Sequence, residues 1–196
     1  MNREVKVEVS ARHLHISQED FMTLFGKQEL TKLRDISQPG QYAASETVSL
    51  RGSKGQIDNV RILGPFRNQT QIELSKTDAY YLGIEAPLRL SGQLENSGSI
   101  DIIGPQGELK LKSGVITALR HLHISTENAK EWGLKDGQNI SIRVGQGDAD
   151  DIKDMIFKEI IVRISDEFVL SCHIDTDEAN AANINKFTMG VILNEK

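Results

Sequence analysis

A motif written twice constrains this chain more than any other feature. Arg12-His13-Leu14-His15-Ile16-Ser17 returns as Arg120-His121-Leu122-His123-Ile124-Ser125, 108 residues later (13 to 121). Four of the five histidines lie in these copies, and the fifth, His173, stands in Ser171-Cys172-His173-Ile174-Asp175. The flanks recur as well: an alternating stretch precedes each copy, and a short helical pattern closed by Gly26 or Gly133 follows it. A period this long lies outside the solenoid range, so two copies at domain scale are the better reading. Residues i and i+2 of a strand share a face, so each His-x-His presents two imidazoles side by side, a natural pair of metal donors.

At 196 residues the chain is long enough to bury a core as one large domain or two small ones. A net charge of −5 and a pI near 5.6 argue against a nucleic-acid binder, so an anionic ligand would need a local basic pocket. One cysteine excludes an internal disulfide and suits a reducing compartment. No apolar run approaches membrane-spanning length, and Met1-Asn2-Arg3-Glu4-Val5-Lys6 lacks the apolar core of a signal peptide. These features predict a soluble cytoplasmic protein.

Val5–Val9 alternates apolar and charged residues and reads as a half-buried strand. Ser17 with Glu19 and Asp20 predicts a helix N-terminus, with Phe21, Leu24 and Phe25 as its apolar face and Gly26 as its stop. Leu30 to Gly40 reads as a polar loop. Short alternating runs follow at 47–50, 57–63, 70–74, 88–90, 99–103, 108–111 and 115–119, punctuated by glycines, a pattern of barrels or sandwiches. Thr126–Trp132 predicts a second short helix, and 139–144, 159–164, 168–173 and 189–193 further strands. Gly145–Asp154 reads as a solvated acidic hairpin tip, and Asp175–Asn185 as a short helix capped by Asp175 or Thr176.

The histidines, with His173 in an acid-rich strand, predict zinc, because imidazole and carboxylate donors suit it and the chain has no thiolate cluster. The competing reading is polar residues that recur only through duplication. Glu73, on the polar face of Thr70-Gln71-Ile72-Glu73-Leu74, is the best carboxylate donor, although such a residue is more often simply solvated. Cys172 falls on the strand face opposite His173 and reads as a small buried apolar residue, not a nucleophile. Asp175 either orients His173 or caps the helix. Arg67, after the Gly64-Pro65-Phe66 turn, is an ordinary surface arginine or a bidentate oxyanion donor.

Taken together, Val9-Ser10-Ala11-Arg12-His13-Leu14-His15, Gln38-Pro39-Gly40-Gln41, Leu63-Gly64-Pro65-Phe66-Arg67 with Thr70-Gln71-Ile72-Glu73, Leu119-Arg120-His121-Leu122-His123 and His173–Ala181 resemble the PduL-type phosphate propanoyltransferase (phosphotransacylase) family. The resemblance implies a mainly β fold: two small β-barrel domains capped by short α-helices, with the active site between them. It places residues 1–11 plus 119–196 in one barrel and 12–118 in the other. It implies two zinc ions, one on His13, His15 and Glu73, the other on His121, His123 and His173. Arg67 matches the family's phosphate-contacting arginine; Val9, Ser10, Ala11, Lys54, Arg61 and Asn180 match coenzyme A contacts, and Arg34 aligns near the coenzyme A phosphates.

The implied reaction is reversible: acyl-CoA plus phosphate gives acyl phosphate plus coenzyme A, with propanoyl or acetyl as the acyl group. The partners implied are coenzyme A, phosphate and a short acyl group, in a homo-oligomer such as a dimer. Family members in bacterial microcompartments, where propanediol is degraded, carry an N-terminal extension. This chain starts a few residues before Val5, so the expectation is a free cytoplasmic form, with the microcompartment lumen and its shell as the alternative. Two other classes compete: a zinc hydrolase using water on a thioester or phosphoester, and a non-enzymatic metal-binding module with closed sites.

Overall fold

The structure, a computed structural model, describes residues 3–145 and 151–193. The first half contains β1 (Glu4–Ser10), β2 (His13–His15), α1 (Gln18–Phe25), β3 (Lys32–Asp35), β4 (Tyr42–Arg51) and β5 (Gln56–Gly64). It continues through β6 (Gln71–Glu73), α2 (Lys76–Leu82), β7 (Leu88–Arg89), β8 (Gly98–Ile103) and β9 (Glu108–Ala118). The second half contains β10 (His121–Ile124), α3 (Thr126–Trp132), β11 (Asn139–Val144), β12 (Met155–Ile164), β13 (Ser171–Asp175), α4 (Thr176–Ala182) and β14 (Phe187–Leu193).

Among the described residues the strands close two six-stranded barrels. One runs β1-β13-β10-β12-β11-β14 and back to β1. The other runs β4-β5-β2-β6-β9-β8 and back to β4, with β3 and β7 added at its margins. The first compact unit gathers the chain up to Ser10, Ser37–Pro39 and everything from Leu119 onward; the second comprises Ala11–Ile36 and Gly40–Ala118. The chain therefore changes barrel just before each His-Leu-His segment.

The barrels repeat one pairing scheme. Each His-Leu-His strand lies parallel to one neighbour (β2 to β5, β10 to β12) and antiparallel to another (β2 to β6, β10 to β13). Registered rows then run across the wall. Val115, Ile72, Leu14 and Ile62 face one interior; Val7, Cys172, Leu122 and Val162 face the other, and all eight are buried in their cores. Strand alternation sends the histidines to the opposite, outer face of each wall.

Each helix begins three residues after a histidine or Glu73, across one buried aliphatic residue and a polar one: His15-Ile16-Ser17, Glu73-Leu74-Ser75, His123-Ile124-Ser125 and His173-Ile174-Asp175. The third residue is the N-cap every time, its side-chain oxygen accepting from the backbone N–H three residues on. Left-handed Gly26, Gly83, Gly133 and Asn183 end the helices.

Three expectations are corrected. The 30–40 stretch is not wholly loop, because β3 pairs with β4; all four β3 residues are exposed, so the strand has no apolar alternation to betray it. The runs at 108–111 and 115–119 are one strand, β9, which continues through Gly114. Gly114 has φ +144°, and a Cβ there would stand 2.8 Å from Thr70 O, so only glycine passes that point. The helix α2 was not expected at all. Of the acidic tip at Gly145–Asp154, residues 146–150 lie outside the described residues.

Candidate metal centres

His13 and Glu73 are register partners on β2 and β6, and His15 lies two residues along on the same face. Each of the three buried side chains offers one donor atom, and these atoms lie within 4.8 Å of one another. His121, His123 and His173 form the equivalent group on β10 and β13, where His121 and His173 are register partners. Glu73 in one barrel thus holds the place of His173 in the other.

The main chain orients the rings. His13 Nδ1 lies 2.8 Å from Ala11 O, and His121 Nδ1 lies 2.8 Å from Leu119 O. A carbonyl only accepts, so each Nδ1 carries the proton and each Nε2 is left with its lone pair. Burial pushes the His15 pKa well below its ordinary value, helped by the nearby charges of His13 and Arg67. Burial, then His121, His173 and Arg163, push His123 down to about 2. These imidazoles are neutral at pH 7, the form that binds metal.

The donor set fits zinc. His13 Nε2 and Glu73 Oε2 are 3.6 Å apart, too far for a hydrogen bond but close to the roughly 3.3 Å between two donors on one tetrahedral zinc. Gln71 Nε2 donates to Glu73 Oε1 at 2.6 Å and holds the carboxylate edge. In the other group, Ser171 Oγ lies 3.0 Å from His173 Nε2 and accepts from Gln38 Nε2 at 2.8 Å. His123 Nδ1 is buried without a hydrogen-bond partner, and a buried polar atom left unpaired costs about 1–3 kcal/mol.

The remaining expected residues fall on several elements of the two units. Arg67 is half-buried beside His15, with Nη1 donating to Ser91 Oγ at 3.1 Å. Arg61 is the register partner of His13 on β5, and its Nη1 donates to Ala44 O and Ser45 O. Lys54 is exposed in the β4–β5 turn with Nζ 5.4 Å from the Tyr80 ring, outside that row. Val9 and Ser10 end β1, Ala11 follows exposed, Asn180 is exposed on α4, and Arg34 is exposed on β3.

Asp175 caps α4 in a reciprocal capping box with Glu178. Cys172 is fully buried, and its thiol pKa is pushed far up by desolvation. Two paired arginines escaped the sequence reading: Arg12 Nε contacts Asp78 at 2.9 Å and Arg120 Nε contacts Glu178 at 2.8 Å. Each joins the residue before a His-Leu-His strand to the third residue of the helix after the third donor. Glu8, the register partner of His173 on β1, also escaped, because one charged residue in an alternating strand reads as ordinary surface.

A family model described as phosphate propanoyltransferase matches residues 6–185. The phosphate propanoyltransferase of Thermotoga maritima is 49% identical over 180 residues, covering 91% of this chain and 84% of that protein. The protein of the same name from Levilactobacillus brevis is 42% identical over 189 residues, covering 96% and 88%. That from Lachnoclostridium phytofermentans is 47% identical over 182 residues, covering 92% and 83%. The chain belongs to the phosphate propanoyltransferase family.

Proposed function

We propose that this protein transfers a short acyl group, propanoyl or acetyl, reversibly between coenzyme A and inorganic phosphate, with zinc at both donor groups. The observation that carries the reading is the pair of buried donor groups at equivalent strand positions, with an arginine beside one of them. His13, His15 and Glu73 hold one ion, and His121, His123 and His173 the other. Bound zinc supplies Lewis acidity toward a thioester carbonyl or the departing thiolate.

The chain's own residues do the positioning. Arg67 presents the planar guanidinium fork that matches two phosphate oxygens, and its charge offsets the repulsion between a phosphate dianion and an anionic cofactor. A phosphate oxygen attacks the carbonyl carbon, the carbon–sulfur bond breaks, and its electron pair leaves on sulfur. No protein nucleophile takes part, which agrees with Cys172 being sealed in a core. Arg61, in the donor row, and Lys54 supply cationic contacts for coenzyme A phosphates; Val9, Ser10, Ala11 and Asn180 supply the remaining contacts. No helix among the described residues is long and apolar enough to cross a membrane, and the substrates are water-soluble.

The test is thioester formation from propanoyl phosphate or acetyl phosphate with coenzyme A, before and after chelation. Activity lost on chelation and restored by zinc is expected. A zinc-loaded protein that releases free acid without any dependence on phosphate would be a hydrolase instead.

A further inference from the structure

The strand parallel to each His-Leu-His segment carries one arginine, at a different step in each unit. On β5, Arg61 is level with His13 of β2. On β12, Ile161 is level with His121 of β10, and Arg163 with His123. Two residues along β5 from Arg61 stands Leu63, so the fold accepts an aliphatic residue where the other unit places Arg163. Nothing in strand pairing calls for a cation at that point.

Arg163 is half-buried, and its surroundings hold it without neutralising it. Its guanidinium carbon lies 5.8 Å from the centre of the Phe168 ring. That ring in turn lies against His123, with centroids 4.2 Å apart and planes 33° apart. The turn after β12 sets it there: Ser165 N donates to Ile124 O, and Phe168 N donates to Ser165 O. Burial is the main cause of the low His123 pKa, and the Arg163 charge adds to it. Among the described residues Arg163 makes no ion pair and its guanidinium donates no hydrogen bond, whereas Arg61 donates to two carbonyls. Its planar fork of N–H donors is therefore uncommitted among those residues. Three neutral imidazoles tolerate such a cation, but a zinc dication on them repels it. An oxyanion shared by the metal and the guanidinium turns that repulsion into attraction at both ends.

We infer that Arg163 is an oxyanion-binding residue of the trihistidine centre, holding a phosphoryl group of phosphate, acyl phosphate or coenzyme A beside the ion on His121, His123 and His173. The inference rests on the zinc reading above and gives that centre an arginine of its own, as Arg67 serves the group around His15. Three protein donors leave a tetrahedral ion one position for a substrate atom. Phe168 fixes the guanidinium over its ring, so less side-chain freedom is lost when the anion arrives.

The experiment uses the full chain carrying His13→Ala, which removes a donor from the Glu73 group, with one cobalt ion at the trihistidine centre. Inorganic phosphate and coenzyme A are titrated separately, and the change in visible absorption gives each dissociation constant. Arg163→Met, which keeps an unbranched stem against Phe168, should weaken at least one of the two by about tenfold or more, and Arg163→Lys should recover part of the loss. Weakening for phosphate assigns the bound group to phosphate or acyl phosphate; weakening for coenzyme A alone assigns it to the cofactor's phosphates. In the zinc-loaded enzyme with His13 intact, Arg163→Met should raise KM for the same substrate. Unchanged affinity for both probes in an Arg163→Met protein that still holds its cobalt overturns the inference. So does a cobalt centre that neither probe perturbs before Arg163 is changed, and so does equal loss of cobalt from Arg163→Met and Arg163→Lys, which would make the residue structural. A wild type that binds no metal overturns this inference together with the reading beneath it. Anion binding as expected without acyl transfer overturns only the reaction.

Discussion

Gln71 Nε2 donates a 2.6 Å hydrogen bond to Glu73 Oε1, which leaves Oε2 turned toward His13. Ser91 Oγ accepts from the same amide nitrogen, and Gln71 Oε1 accepts from Gly92 N, so the amide is fixed at both ends. Replacing Gln71 with leucine should weaken zinc at the Glu73 group by about ten- to a hundredfold and leave the trihistidine group alone. Competition titration with a chelator reads both affinities; an equal loss at both groups would point to general unfolding instead.

Arg67→Ala should lower turnover by a factor on the order of a hundred or more through the loss of one preorganised donor, with zinc content unchanged. The effect should fall on phosphate or acyl phosphate use and not on coenzyme A affinity. Steady-state kinetics in both directions, with metal analysis of the same samples, checks this. Full activity in Arg67→Ala would remove the residue from the site.

Cys172→Ala should keep its turnover per folded molecule, since the thiol is enclosed among Val7, Leu122 and their neighbours. Its cost is packing, about 1 kcal/mol. Thiol reagents should leave the native protein unmodified; rapid labelling with loss of activity would reopen a covalent route.

Asp175 accepts from Glu178 N at 2.8 Å, and Glu178 Oε2 accepts from Asp175 N at 3.0 Å. Asp175→Ala should destabilise the chelated protein by about 1 kcal/mol, and Asp175→Ser should recover most of that because serine also caps. Urea unfolding measures it. If serine fails to rescue, capping is not the residue's main task.

Buried Glu46 accepts from Thr31 N at 3.0 Å and from Thr31 Oγ1 at 2.7 Å, tying the segment before β3 to β4. Burial raises its pKa, but these bonds and the Lys27 charge outweigh it and hold the carboxyl below its ordinary value of 4.5. The ionised form therefore favours the folded state. Its contribution is present in full above the ordinary value and fades as pH falls through the lower folded one. Glu46→Gln should cost about 1 kcal/mol at pH 7 and progressively less as pH drops below 4.5. A gap that stays constant down to acid pH would contradict it.

The sequence by itself determined the local chemistry of this protein. Alternation placed the histidines of each His-x-His on one strand face and Cys172 on the other. Ser17 and Asp175 announced their helices, whereas α2 went unread although Ser75 caps it in the same order of donor, aliphatic residue and cap. These signals are readable because they depend on neighbours within a few residues, where backbone geometry leaves little choice.

What only the tertiary structure decided was register. Which residue faces His13, and which faces His173, depends on strands distant in sequence, and a slip of one residue would turn every donor into a core. Glu8 in its strand looks like any solvated charge until β1 pairs with β13 and sets it against His173. Ile116 looks like any core residue until β9 lies beside Glu73. The exposed strand β3 exists only because β4 offers its backbone. Long-range hydrogen bonding and burial made those assignments, and no pattern confined to a single segment contains them.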